Sequence, residues 1–173
     1  MKRLVQTGLL SALLLVVVSC QGLGLAFDDP SFMFSTVIPE RWVYQAQRST
    51  SNLNVFYGEG DYDLLYFQDL GPILDATVEI FAERTLALYG GPGGLANFHL
   101  EQPPQEVQIA GERGLACAYT YEERSGTKLW EYRIFLILPE QRGFSMALGG
   151  GGAWVDQEYP VLTEILSQWR WLF

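Results

Sequence analysis

The run Ile134-Phe135-Leu136-Ile137-Leu138 is apolar at every position, so a strand built from it has no face that water can solvate. Such a strand belongs inside a sheet covered on both sides. It closes the longest extended stretch, Leu129–Leu138, which follows the turn Ser125-Gly126. Around it the sequence marks a block of antiparallel strands. Val107–Ala110 and Leu115–Glu123 face each other across Gly111-Glu112-Arg113-Gly114, and Gln141-Arg142-Gly143 returns the chain into Phe144–Leu148. Phe98-His99-Leu100 opens the block, and Pro103-Pro104 interrupts it.

The first half supplies further strands and a helix. Phe32–Ile38 is strand-like and stops at Pro39, Arg41–Tyr44 is a second short strand, and Asn54–Tyr57 and Tyr62–Phe67 flank the turn Gly58-Glu59-Gly60-Asp61. Thr77 is placed to cap a helix over Val78–Tyr89, with Val78, Phe81, Ala82, Thr85 and Tyr89 on one face. The run Gly90–Gly94, broken only by Pro92, ends it. After Gly149–Gly152, a second helix over about residues 157–169 carries Leu162, Ile165, Leu166 and Trp169 at helical spacing, with Pro160 tolerable in its first turn. The end, Trp169-Arg170-Trp171-Leu172-Phe173, is too apolar for a loose tail. The expected class is α+β, an antiparallel β-sheet flanked by helices.

The first twenty residues are not fold material. Lys2 and Arg3 precede an apolar run of about ten residues, half of what a bilayer span needs. Its ending, Val17-Val18-Ser19-Cys20, resembles the lipobox of bacterial lipoproteins. The resemblance implies that residues 1–19 are a signal peptide, that Cys20 carries the lipid, and that the chain is held at the cell membrane or outer membrane by N-terminal acyl chains, at least two of which make anchoring stable. Residues 20–31, rich in glycine and closed by Asp28-Asp29-Pro30, then read as a tether. A rival route stays open: Gly24-Leu25-Ala26 offers a secretory cleavage site before Phe27, which would give a soluble secreted or periplasmic protein.

The chain is acidic, with net charge −9, and losing Lys2 and Arg3 makes it more so. That excludes nucleic acid as a partner, which needs Lys/Arg-rich surfaces. Cys117 lies in the apolar run Gly114-Leu115-Ala116-Cys117-Ala118 and reads as a buried small hydrophobe without a disulfide partner if Cys20 is lipidated. His99 is the single histidine, no G-x-S-x-G or H-E-x-x-H occurs, and neither glycine run has the context of a phosphate loop. No catalytic residue is therefore expected, and no cofactor. The metal candidate is Glu59, Asp61 and Asp63, alternating around a glycine turn, as oxygen donors for calcium or manganese. Asp28-Asp29 and Glu122-Glu123 read as solvated. Trp42, Tyr44, Trp130 and Tyr132 alternate with polar or smaller residues and are candidates for a ligand or partner patch, or a cleft beside the C-terminal helix.

Taken in order, these pieces resemble the PsbP/Mog1/DcrB-like superfamily. The similar segments are Phe34–Trp42, against an opening F-S-x-x-x-P-x-x-W; the helix start Thr77–Glu83; Gly111–Tyr121, against a G-x-x-A-x-x-Y hairpin; and the closing Ile165–Trp169. The resemblance covers residues 32–173 and implies one domain with an α/β/α arrangement. It implies no single activity, since members include photosystem II extrinsic proteins, a Ran-binding import factor and many bacterial lipoproteins. The expected role is a monomeric, membrane-anchored, non-enzymatic binding or assembly module with an envelope protein partner. The alternative is a carrier of a small apolar ligand or divalent metal.

Overall fold

Strands pair where the sequence marks turns. The computed structural model describes residues 24–74, 76–152 and 155–173, the side chains of 155–159 excepted. The elements run β1 (Gly24–Asp28), β2 (Phe34–Pro39), β3 (Val43–Tyr44), β4 (Leu53–Tyr57), β5 (Leu64–Pro72), α1 (Val78–Gly90), β6 (Ala96–Ile109), β7 (Glu112–Glu122), β8 (Lys128–Leu138), β9 (Arg142–Gly151), α2 (Val155–Ser167) and β10 (Arg170–Trp171). A large antiparallel sheet has the order β3-β4-β5-β9-β8-β7-β6, and a small one has the order β1-β2-β10.

β8 is an inner strand, paired on one side with β7 and on the other with β9. Its two faces are covered differently. On one, Val78, Phe81 and Ala82 of α1 pack against Leu115, Cys117, Tyr119 and Phe135. Thr77 caps this helix by accepting from the Ile80 N–H at 3.4 Å, and Glu79 in the first turn complements its dipole. On the other face, Val161, Leu162 and Ile165 of α2 join Phe34 and Ile38 of β2 over Leu65, Phe67, Ile134, Leu136, Phe144 and Met146.

Phe34 ties this second layer together. It is fully buried, stacks on Trp169 at 4.1 Å, and meets Phe67 edge-on at 5.2 Å. Thr36 Oγ1 donates to the Ile165 carbonyl at 2.7 Å, satisfying an acceptor near the end of α2. The apolar C-terminus becomes β10, which pairs with Phe34 and Ser35.

Local expectations change at several places. The segment Phe34–Pro39 leaves the main sheet and forms a second one, because its buried side lies across the sheet rather than beside it. Within the stretch read as a tether, Gly24–Asp28 forms β1, in register from Gly24↔Pro39 to Asp28↔Ser35. Asp29 is buried rather than solvated. Its carboxylate accepts from the Met33 N–H at 3.0 Å and from Asn54 Nδ2 at 2.7 Å, and this winds the β1–β2 turn that holds Phe32 at φ 58°. Pro103-Pro104 sits inside β6 without ending it, because β6 is a sheet edge and its register shifts between Gln102 and Gln105.

In α2, Pro160 falls beyond the first turn, and the buried Val161, Leu162 and Ile165 hold the helix by packing. Truncating the ring at the centre of this layer tests it. Phe34→Ala is expected to cost about 3–5 kcal/mol, read as a lowered urea midpoint with an unchanged slope.

Candidate functional site

Strand alternation places residues 131, 133 and 135 on the α1 side of β8, and register sets Tyr119 of β7 opposite Glu131 and Gly149 of β9 on its other flank. Two charged residues two apart on an inner strand must then be buried together. The Arg133 and Glu131 side chains are 6% and 8% exposed. Arg133 Nε and a terminal guanidinium nitrogen both donate to Glu131 Oε1 at 2.8 Å. The Tyr119 hydroxyl donates to the same oxygen, and Tyr66 adds a bond at 3.3 Å. The guanidinium lies over the rings of Tyr66 at 5.1 Å and Tyr89 at 5.2 Å.

Burial sets the chemistry of this cluster. It pushes the Glu131 carboxyl up to about 7, against the pull of the Tyr119 hydrogen bond, and brings Arg133 down to about 9. Burial, with the Glu131 charge second, raises the Cys117 thiol to about 12 and also raises the Tyr89 hydroxyl. Cys117 is therefore an unreactive core thiol, in line with its place in the apolar run.

Glu131 also lines a cleft of about 430 Å³ at one end of the sheet. Tyr57, Gly58, Gly60, Asp61, Tyr62, Asp63 and Leu64 of the β4–β5 turn line it, with Tyr121, Leu129, Gly149 and Gly150. All four described polar contacts of Glu131 fall on Oε1. Glycine at 150 lets its neighbours pack close: a Cβ there would stand 3.0 Å from the Trp130 ring and 3.2 Å from Asp63 Oδ1.

The residues singled out from sequence have different fates. Asp61 and Asp63 reach the cleft, whereas Glu59 is not among its lining residues. Asp63 Oδ2 accepts from the Gly60 N–H at 2.8 Å, so this carboxylate closes the turn. Among the described residues no three His, Cys, Asp or Glu side chains converge on a metal position, and Glu59, Asp61 and Asp63 do not gather as one. Trp42 and Trp130 are core residues. Tyr44 packs at the sheet edge on Phe27 and Phe56, and Tyr132 alone of the four lines a groove of about 420 Å³ against Leu162 and Leu166 of α2. Cys20 lies outside the described residues.

Sequence reasoning missed Glu131 and Arg133. The available signal was the pair itself, charged residues at i and i+2 in a strand whose continuation is apolar on both faces. A further cleft, of about 480 Å³, lies at the opposite end of the sheet. There Asp69 is met by Arg142 through two bonds, at 3.0 and 2.5 Å, so the buried charge is compensated.

No family model matches the chain, and no curated protein matches it by sequence. Solved structures do. The Ran-binding protein Mog1p of Saccharomyces cerevisiae superposes with a TM-score of 0.58 at 10% identity, over 86% of this chain and 95% of that one. The cyanobacterial PsbP of Synechocystis gives 0.62 at 12% identity, over 90% and 98%. The fold is that of Mog1 and PsbP. LpqN of Mycobacterium tuberculosis, involved in cell envelope biogenesis, shares the Mog1/PsbP-like fold with a TM-score of 0.50 at 10% identity, over 87% of this chain and 91% of that one. At these identities the likeness concerns the fold and leaves the site to be argued from its own residues.

The Glu131 carboxyl provides a pH test. It takes up its proton near 7 in the native state, against an ordinary value of 4.5. The native state therefore binds more protons in that window, and the group's contribution to stability falls as pH rises from 4.5 to 7. Wild-type protein is expected to lose on the order of 1–3 kcal/mol relative to Glu131→Gln across this range, read by urea melts at successive pH values.

Proposed function

We propose that the chain is an exported lipoprotein, lipidated at Cys20, that acts as a non-enzymatic binding or assembly module at a membrane surface. Its binding site is the cleft that Glu131 lines. One observation carries this reading: the cleft opens at the end of the domain where the chain enters it. Gly24 pairs with Pro39, three residues link Pro39 to Val43, and Val43 pairs with Tyr57, which lines the cleft beside Leu64. A lipid on Cys20 would be four residues from Gly24, a reach of about 14 Å at most. The tether is then short, and the cleft end stands close to the headgroups.

The place of β1 supports retention of residues 24–26. Cleavage before Phe27 would remove three of the five paired positions of β1. It would also leave the new terminus at Phe27, whose ring packs against Phe34, Tyr44 and Phe56. The likeness to LpqN supports an extracytoplasmic setting. The buried, high-pKa thiol of Cys117 and the exposed position of His99 offer no nucleophile–base pair, which supports binding rather than catalysis. The apolar groove along α2, lined by Val107, Ile109, Tyr132 and Leu162, favours the second reading, a carrier of a small apolar ligand.

Two measurements check the proposal. Full-length protein is expected in the membrane fraction, extracted only by detergent, with Cys20→Ala released into the soluble fraction; equal retention of both overturns the lipid anchor. Affinity purification from solubilised membranes, read by cross-linking and native mass spectrometry, is expected to enrich a partner or ligand that an Asp61→Ala, Tyr62→Ala double variant loses. Recovery of the same species by the double variant overturns the cleft as the site.

A further inference from the structure

We propose that the end of the domain formed by β1, β3 and the β4–β5 turn docks on the headgroups of a bilayer without net charge, which makes the bilayer a partner of the folded domain itself. The inference deepens the proposed membrane role and rests on the lipid at Cys20.

The side chains at this end are those of a membrane interface. Leu25 and Val43 are 62% and 61% exposed, and Tyr44, Tyr57 and Tyr62 are exposed as well. Strand pairing collects them. Val43 lies opposite Tyr57, and Tyr62 is in the turn that joins Tyr57 to Leu64. Phe27, two residues on from Leu25, brings its ring to 5.5 Å from that of Tyr44, so β1 meets the edge of the large sheet here. Two aliphatic side chains among three tyrosines suit a boundary between oil and water. A tyrosine ring can lie against acyl chains while its hydroxyl stays wet.

The length of chain before Gly24 decides what covers these side chains. Cys20 is four residues away, so a lipid there holds Gly24 within about 14 Å of the bilayer. Over that reach the contact is intramolecular, and a weak affinity for the surface is enough to keep it made. Phe32 and Phe173 are exposed too, but they line the cleft at the opposite end of the sheet. The nine residues of β5 separate the two ends by about 25 Å. A domain standing on that far end would put Gly24 out of the tether's reach.

Charge decides the kind of bilayer. The two loops of the docking end carry Glu40, Glu59 and Asp61, all exposed, against Arg41. Anionic headgroups would repel this excess, whereas a zwitterionic surface would not. Ionised carboxylates also stay out of hydrocarbon, so the domain rests at headgroup level with only the apolar tips below it.

The test uses full-length lipidated protein on phosphatidylcholine vesicles, some of whose headgroups carry a nitroxide quencher. A fluorophore is placed on Val43→Cys or, as the far-end control, on Phe32→Cys; the thiol of Cys117 is buried. Headgroup quenching at Val43→Cys and none at Phe32→Cys is expected. Leu25→Ser with Tyr57→Ser should lower the docked-to-undocked ratio about tenfold, the worth of one large apolar side chain removed from water. Added phosphatidylglycerol should weaken the quenching. Equal quenching at both labels, none at Val43→Cys, no response to the double substitution, or unchanged or stronger quenching with phosphatidylglycerol would each overturn the proposal. Shielding of Val43→Cys from iodide without headgroup quenching would also overturn it, and would give the surface to a protein partner or a second copy. Flotation of the vesicles separates this proposal from the reading beneath it. Protein that floats through Cys20 without quenching removes only the docking surface, whereas protein that does not float removes the anchor and the docking together.

Discussion

A strand that is apolar on both faces has to be covered twice, and the whole architecture answers that demand on β8. One cover is α1, whose Val78, Phe81 and Ala82 meet β7 and β8. The other is composite: α2, with β2 bridged to it by the Phe34–Trp169 stack. Because the second cover is assembled from the two ends of the chain, the sheet is enclosed only when the N-terminal and C-terminal segments meet. The same strand then turns polar toward its start, where Glu131 and Arg133 are buried beside tyrosine rings, that of Tyr89 in α1 among them. The cleft lies just beyond this pair, between the β4–β5 turn and the start of β8.

The cost of that arrangement shows in how the pair is held. A buried carboxylate and guanidinium contribute little net stability, yet removing one partner costs about 3–5 kcal/mol. Tyrosines from three elements converge on the pair, Tyr119 and Tyr66 by hydrogen bonds and Tyr89 by its ring. Such a cluster in an otherwise apolar layer is held from every side, so each of its members fixes the position of the others.

Most of the layout was legible in the sequence because it is written in local signals. Thr77 before a helical stripe, the glycine-rich turns at Gly111–Gly114 and Gln141–Gly143, and the two-sided apolar run at Ile134–Leu138 each act within a few residues. What was not legible depends on contacts between distant segments. Nothing local to Phe34–Pro39 says that it pairs with Gly24–Asp28 and Arg170–Trp171 instead of joining the main sheet. Likewise Asp29 reads as a solvated turn residue until Asn54 is brought to it from β4. In the cleft, Asp61 and Asp63 were found by spacing, but their relation to Glu131 exists only through the β5–β9–β8 register. The glycines of residues 149–151 lie in β9, with Trp130 and Tyr62 against them.

The pairing of β1 also sets how the domain would respond to mechanical load. The chain enters at Gly24 and runs along β2 away from that end, with its five partners in unbroken register. Hydrogen bonds between antiparallel strands lie perpendicular to the strand direction. A pull on the N-terminus along that direction therefore strains all five positions at once, as a lap joint in shear, rather than opening them singly like a zip. Under such a pull these five residues of edge strand are the element that takes up the tension.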